Sequence, residues 1–388
     1  MPDLSLRHCL RLACAGLLAF QLSPAFAGAG DALARLGEAL FFDPSLSEPP
    51  GTSCASCHDP KRAFSGDNGS GLGAPRGSRP ASIGFRKAPT AMYAQFAPAF
   101  AWVPQDGHLR PRGGLFWDGR VDTLAQQARL PLVNPVEMNL GGPAEVAARL
   151  RRAPYVALIE QAGGGAVLDD PARTLELVGD AIEAFERTPR FAPFSSKFDR
   201  FLEGKVALTE QEQRGLGLFQ IRQKGNCAGC HTVNEHSRNP RDSLFTDFGY
   251  HAVGAPRNAR LPANDRPDFR DLGLCGPERQ LAVADVRRWC GAFRTPTLRN
   301  VALTAPYFHN GVFRTLREAV AFYATRDTEP GRWYPEGQRF NDLPPPLRAN
   351  VDTETPPYHR AGKRPALRDD EVDDIVAFLH TLTDGYGE

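Results

Sequence analysis

A mainly α-helical fold in two units, with long loops and little strand, is what this 388-residue sequence predicts. Three observations carry that expectation. Apolar residues recur at helical spacing in five segments, alternating strand-like runs are sparse, and the motif Cys-x-x-Cys-His occurs twice, as CASCH at 54–58 and CAGCH at 227–231. With 34 prolines and 37 glycines the connections must be long. A net charge of +1 and 41% hydrophobic residues suit a soluble globular chain with room for two domains, and leave no basic excess for nucleic acid.

The chain opens with Arg7 and Arg11, an apolar run over 12–20, and the small-residue site Ala25-Phe26-Ala27. This is the pattern of a secretory signal peptide cleaved after about Ala27, which implies a periplasmic protein. The apolar run is too short for a membrane span, and none is expected in the mature chain. Helical periodicity then places helices at 31–41, 172–187, 209–220, 315–326 and 369–383. The proline-rich stretch 331–365 reads as a long ordered surface loop.

Cleavage removes Cys9 and Cys14 and leaves six cysteines. Cys54 and Cys57, followed by His58, and Cys227 and Cys230, followed by His231, each read as a covalent attachment site for haem c. The two thiols bind the porphyrin edge and the histidine supplies a proximal iron ligand. A zinc ribbon built from the two pairs is the rival reading, and it leaves the two histidines unexplained. Cys275 and Cys290 are expected to form a disulfide in an oxidising compartment. The chain therefore divides into a signal peptide (1–27), a first cytochrome-c-like unit (28–195) and a second (196–388). The opening helix is a candidate to pack on the second unit, and no repeat beyond the two haem motifs is evident.

Two haem-c units in this order, with FWDGRVDTLAQQARLPLVNPVEM between them and FRTPTLRNVALTAPYFHNG after the second, resemble the bacterial di-haem cytochrome c peroxidase and MauG superfamily. The resemblance spans nearly all of the mature chain. It implies that peroxide reacts at the first haem, that Gln127 and Glu137 line its distal side, and that Trp117 lies between the two haems. A carboxylate there can take the first proton of HO–OH and return it to the departing oxygen. Gated members of the superfamily carry a distal histidine in the loop after the first haem motif. The matching loop here, 65–96, contains none, and Pro131 falls on the distal side instead, so the first iron is expected to be open. Arg120, Arg299 and His309 are candidates to support propionates or inter-haem water.

For the second haem the chain has no methionine after Met138, so methionine ligation from its own unit is excluded by composition. Counting fourteen residues on from His309, as the resemblance implies, reaches Tyr323 as the sixth ligand, and tyrosinate is known haem chemistry. Tyr323 also falls in a helical stripe with Leu316 and Ala319 that would serve as plain core, and His236, His251, His359 and His380 are other candidates. The superfamily often holds calcium between its domains. Thr304 and Pro306 match that site, but Lys87 stands where an asparagine ligand is expected, and its ammonium could substitute for the ion.

The implied function is a peroxidase that reduces H2O2 with electrons from a small cytochrome c or cupredoxin, without reductive activation. Two other readings remain open. One is a maturase that uses peroxide-derived oxidising power on a tryptophan or tyrosine of a partner protein. The other is a non-catalytic electron carrier, which would leave Glu137 unexplained.

Overall fold

The computed structural model describes residues 29–277, 286–358 and 363–387. The signal peptide and His359 lie outside the described residues. The opening helix α1 (Ala29–Phe41) is followed by the haem-motif turn α2 (Cys54–Cys57) and a hairpin of β1 (Ala101–Gln105) and β2 (His108–Arg112). Next come α3 (Leu124–Val133), α4 (Pro143–Leu150), α5 (Val156–Gly163) and α6 (Pro171–Glu186). In the second half α7 (Lys197–Leu202) and α8 (Glu210–Gln220) lead into the second motif. The two-residue strands β3 (Tyr250–His251) and β4 (Phe293–Arg294) pair antiparallel. Helices α9 (Leu316–Thr325), α10 (Pro330–Trp333) and α11 (Asp369–His380) close the described chain.

All five expected helices are present, within a few residues of their expected ends. The opening helix does not pack on the second unit. Leu36, Leu40 and Phe41 of α1 join the core of the first unit with Val178, Ile182 and Phe185 of α6. A Cβ on Gly37 would lie 1.9 Å from the Ala181 carbonyl oxygen, so the two backbones cross in contact. The second unit repeats the arrangement: a Cβ on Gly215 of α8 would lie 2.0 Å from the Asp374 carbonyl oxygen of α11. Its separate core gathers Phe198, Phe219, Phe245, Phe322 and Phe378.

The structure reveals an internal repeat that motif spacing did not show. LFWDGRVDTLAQ at 115–126 and YFHNGVFRTLRE at 307–318 fold alike. Each begins with an isolated bridge, Leu115 to Val121 and Tyr307 to Phe313. Phe116 and Phe308 have φ near +65°, at 63° and 68°. Each ends in a capping box, Thr123 with Gln126 and Thr315 with Glu318, which starts α3 and α9. The repeat also governs how the units meet. Lys87 N–H donates to the His309 carbonyl at 2.7 Å, and Arg294 N–H donates to the Trp117 carbonyl at 2.9 Å. Trp117 and His309 are equivalent positions in the two repeats, so the two halves exchange one backbone hydrogen bond each.

Among its described residues, the stretch 331–365 is more than a surface loop. Tyr334, Phe340, Leu343, Val351 and Tyr358 are buried, and 352–358 forms part of the wall of a cavity in the second unit. Tyr334 packs in its core against Phe322 of α9, and Phe340 packs in turn against Tyr334.

Candidate active site

Each unit encloses a large cavity beside its Cys-x-x-Cys-His motif. The first has about 1470 Å³ of space free of protein atoms, its mouth included, and is lined by Cys54, Cys57, His58, Trp117, Gln127, Pro131, Glu137 and Glu186. The second has about 1590 Å³ on the same measure and is lined by Cys227, Cys230, His231, Trp117, His251, His309, Tyr323 and Tyr358. The four motif cysteines are unpaired and divided between two cavities, so they cannot form one zinc ribbon.

The motif turns hold their histidines alike. His58 Nδ1 lies 3.0 Å from the Phe64 carbonyl, and His231 Nδ1 lies 3.0 Å from the Phe245 carbonyl. Phe64 and Phe245 share φ of 53°, a left-handed bend that turns each carbonyl back to the ring. With Nδ1 donating to that carbonyl, Nε2 is the nitrogen left for a metal, and burial lowers both histidine pKa values, favouring the neutral ligand form. Burial also pushes the Cys54, Cys57 and Cys227 thiols up to about 12, with neighbouring negative charge adding to it. Paired thiols, an oriented imidazole and an apolar cavity fit a covalently held haem in each unit.

In the first cavity α3 contributes Gln127 and Pro131, and the turn after it contributes Glu137. Burial raises the Glu137 carboxyl pKa, opposed by Arg120 and by a hydrogen bond with Asn134. No histidine other than His58 lines this cavity among the described residues. His108 is exposed on β2.

In the second cavity Tyr323 comes from α9. Burial pushes its phenol well above the ordinary value, and the Arg326 guanidinium pulls the other way. Pro131 and Tyr323 each lie eight residues past the capping threonine of their helix, so they are equivalent positions in the repeat. Of the alternative ligands, His236 and His380 are exposed and line neither cavity. His251 reaches the second cavity, but its Nε2 bonds Asp247 at 3.0 Å and its Nδ1 lies 3.8 Å from Cys230 Sγ. Although burial opposes its charge, the Asp247 hydrogen bond raises its pKa to about 10.

Trp117 and Lys87 line both cavities, and the Trp117 indole donates to the Lys87 carbonyl at 2.9 Å. The residues expected for calcium do not fit it. Lys87 Nζ donates to the Thr304 carbonyl, and Arg62 donates to the carbonyl of Ala305, beside Pro306. A cation here would meet the Lys87 amine, whose pKa burial and Arg62 pull down to about 7, and the Arg62 guanidinium. Arg120 lines the first cavity and His309 the second, whereas Arg299 is fully buried in a pair with Asp199 and lines neither. Cys275 and Cys290 are disulfide-bonded.

Sequence reasoning missed two residues. Glu186 is buried on α6 in phase with Val178 and Ile182, a position the helical pattern assigns to apolar core, and burial with Glu183 nearby pushes its carboxyl to about 8. Its misfit with that apolar phase was the available signal. Tyr358 stacks on Tyr323 at 6.2 Å between ring centroids, with the Arg326 guanidinium 3.4 Å from the Tyr358 ring centre. No sequence pattern marks it, because the segment carrying it is irregular.

Comparison with known proteins places these cavities in context. Residues 31–207 match the model of a family described as di-haem cytochrome c peroxidase. The chain is 39% identical to the methylamine utilization protein MauG of Paracoccus denitrificans, covering 97% of this chain and 96% of that protein. It is 30% identical to the cytochrome c551 peroxidase of Pseudomonas aeruginosa, covering 90% of this chain and 78% of that one. Among solved structures, the diheme peroxidase BthA of Burkholderia thailandensis superposes with a TM-score of 0.87 at 46% identity, covering 91% of this chain and 86% of that one. With two haem-sized cavities built on one repeated plan, this chain belongs to the di-haem cytochrome c peroxidase family and is a haem-dependent oxidoreductase of peroxidase type.

Proposed function

We propose that this protein is a periplasmic peroxidase with two covalently held haems that reacts with H2O2 without prior reduction. The single observation that carries the reading is the contrast at one repeated position, Pro131 in the first cavity and Tyr323 in the second. A proline side chain has no atom that can bind iron, whereas a phenolate oxygen can, so a haem beside Pro131 would be open to substrate and one beside Tyr323 would be closed. Haem iron bound at His58 would supply the redox chemistry that cleaves the O–O bond.

The chain's own residues then have distinct tasks. Gln127 orients the peroxide by hydrogen bonding. Glu137, its pKa raised by burial, takes the proton from the attacking oxygen and delivers it to the departing one. Tyr323 would hold the second haem iron through its phenolic oxygen, and Arg326 favours the deprotonated form that this needs. Trp117, shared by both cavities, offers the aromatic path between them. Two electrons from a small cytochrome c or cupredoxin complete the cycle.

The test is to mix the as-isolated diferric protein with H2O2 in the absence of reductant and follow both haem absorption bands with low-temperature electron paramagnetic resonance. Prompt loss of the ferric signals is expected. A protein inert until one haem is reduced would overturn the reading. Oxidation of a tryptophan or tyrosine on a partner protein is the second reading, supported by the extent of the match to the Paracoccus MauG protein. A turnover rate that saturates with a small redox protein separates the first from the second.

A further inference from the structure

We propose that the β1–β2 hairpin and the turn ending at Trp289 form a docking face for a small acidic redox protein, which gives its electrons through Trp289 and Trp102 toward the second cavity. The proposal rests on the peroxidase reading above and names the entry point that reading leaves open.

The first observation is a continuous run of rings. Trp289 packs on Trp102 with centroids 5.9 Å apart, Trp102 on Phe100 at 5.8 Å, and Phe100 on Tyr250 at 5.9 Å. Tyr250 begins β3. The next residue, His251, lines the second cavity, and so does Arg294, the cross-strand partner of Tyr250. Arg294 in turn donates its N–H to the Trp117 carbonyl. Indole and phenol are the side chains most readily oxidised through their rings, and tunnelling weakens steeply with distance. Short steps between Trp289, Trp102 and Tyr250, with Phe100 as the bridge, therefore carry an electron that one long step would not.

The second observation concerns the four tryptophans. Trp117 and Trp333 satisfy their indole N–H groups internally, on the Lys87 carbonyl and on Thr325 Oγ1. Trp102 and Trp289 are half-exposed, and neither indole N–H has a hydrogen-bond partner among the described residues. An indole with an apolar body and an unused donor is a common anchor at protein interfaces. Leu109, 52% exposed, extends the apolar centre of this patch.

Charge names the partner. The Arg110 and Arg288 guanidinium carbons lie 6.0 and 5.4 Å from the Trp289 ring centre. Arg112 and Arg287 are exposed alongside, against Asp106 as the hairpin's acidic residue. An apolar centre rimmed by arginines selects an acidic surface. The disulfide to Cys290, the residue after Trp289, fixes this turn to the body of the second unit. Each partner molecule gives up one electron, and two electrons with two protons turn one H2O2 into two waters.

The experiment uses the intact holoprotein with an acidic cupredoxin as donor, a basic cytochrome c as the charge control, and hydroquinone as a donor that needs no docking. Binding of the acidic cupredoxin should be salt-sensitive and should weaken roughly tenfold or more in the Arg110→Glu, Arg288→Glu double variant. The Trp102→Phe, Trp289→Phe double variant should keep that binding, slow cupredoxin-driven turnover at least tenfold, and leave hydroquinone-driven turnover and the donor-free reaction with peroxide unchanged. Tyrosine at both positions should restore part of the rate, because tyrosine is oxidisable where phenylalanine is not. Full cupredoxin-driven turnover in the phenylalanine variant, or salt-independent binding to wild type, would overturn the proposal and leave the peroxidase reading standing. A wild-type protein that ignores peroxide would overturn both.

Discussion

Glu137 is the residue on which the proposed chemistry turns. Its carboxyl combines a raised pKa with a place in the first cavity beside Gln127. Substitution by glutamine keeps the shape and removes the proton transfer, so the rate of reaction with H2O2 should fall by about 10²–10⁴ while the resting spectra of both haems stay unchanged. Glu186 should show itself through stability. The folded chain holds this proton up to about pH 8, whereas an unfolded chain releases it near the ordinary carboxyl value of about 4.3. Folding therefore loses stability as pH rises between those values, with the loss complete above the upper one. Thermal melts should show a fall from pH 5 to pH 9 that is smaller in Glu186→Gln. Lys87 yields a third test: calorimetric titration should find no calcium binding to wild type, and Lys87→Asn should gain it. Counting from a recognisable motif was enough to put Gln127, Glu137 and Tyr323 on a cavity wall. Lys87 was legible as a mismatch, and only the fold puts its ammonium on the Thr304 carbonyl.

At the level of elements, the two Gly-mediated helix crossings are the parts most sensitive to small changes. Glycine to alanine inside a helix ordinarily stabilises it. At Gly37 and Gly215 the new methyl would strike backbone carbonyl oxygens, which cannot swing aside as a flexible side chain would. Gly37→Ala and Gly215→Ala should each destabilise by about 1–3 kcal/mol, read from chemical denaturation, against the intrinsic preference. The long amphipathic helices α1, α6, α8, α9 and α11 were readable from their periodicity. Helix α3 was not, because Pro131 sits inside it and removes an N–H from the ladder. The β1–β2 hairpin escaped notice because Pro104 and Pro111 interrupt its strands, which is tolerable at an exposed sheet edge.

Taken whole, the molecule is one plan used twice and then made unequal. Both units carry the same motif turn, the same histidine-to-carbonyl tie and the same capped helix, and they differ where Pro131 faces Tyr323 across the repeat. Tyr323→Phe should convert the second haem from a six-coordinate to an open ferric signal in electron paramagnetic resonance, and leave the first haem's signal unchanged. The two motif turns, each beside a hydrophobic core of its own, were visible in the paired cysteine motifs. The repeat around Trp117 and His309 was not, since its likeness lies in backbone shape and capping more than in shared residues. The docking of the opening helix was misjudged for a related reason: an apolar stripe does not name its partner, and only the folded packing of Leu36, Leu40 and Phe41 and of Gly37 against Ala181 assigns α1 to the first unit.

The segment ending at Tyr358 has a consequence for how the protein is made. Tyr358 lies under Arg326, Arg326 is held by Asp327 and by the Val253 and Asp352 carbonyls, and Phe340 and Val351 are buried beside them. Together they pin down, at several points, the segment that forms part of the wall of the second cavity. A rigid planar molecule as wide as a porphyrin must enter before that segment is fastened. With haem held at Cys227 and Cys230 as proposed, biogenesis would be ordered in time: ligation would have to finish while the last part of the chain is still open. Whatever attaches the group would then meet an unfinished chain rather than a folded one.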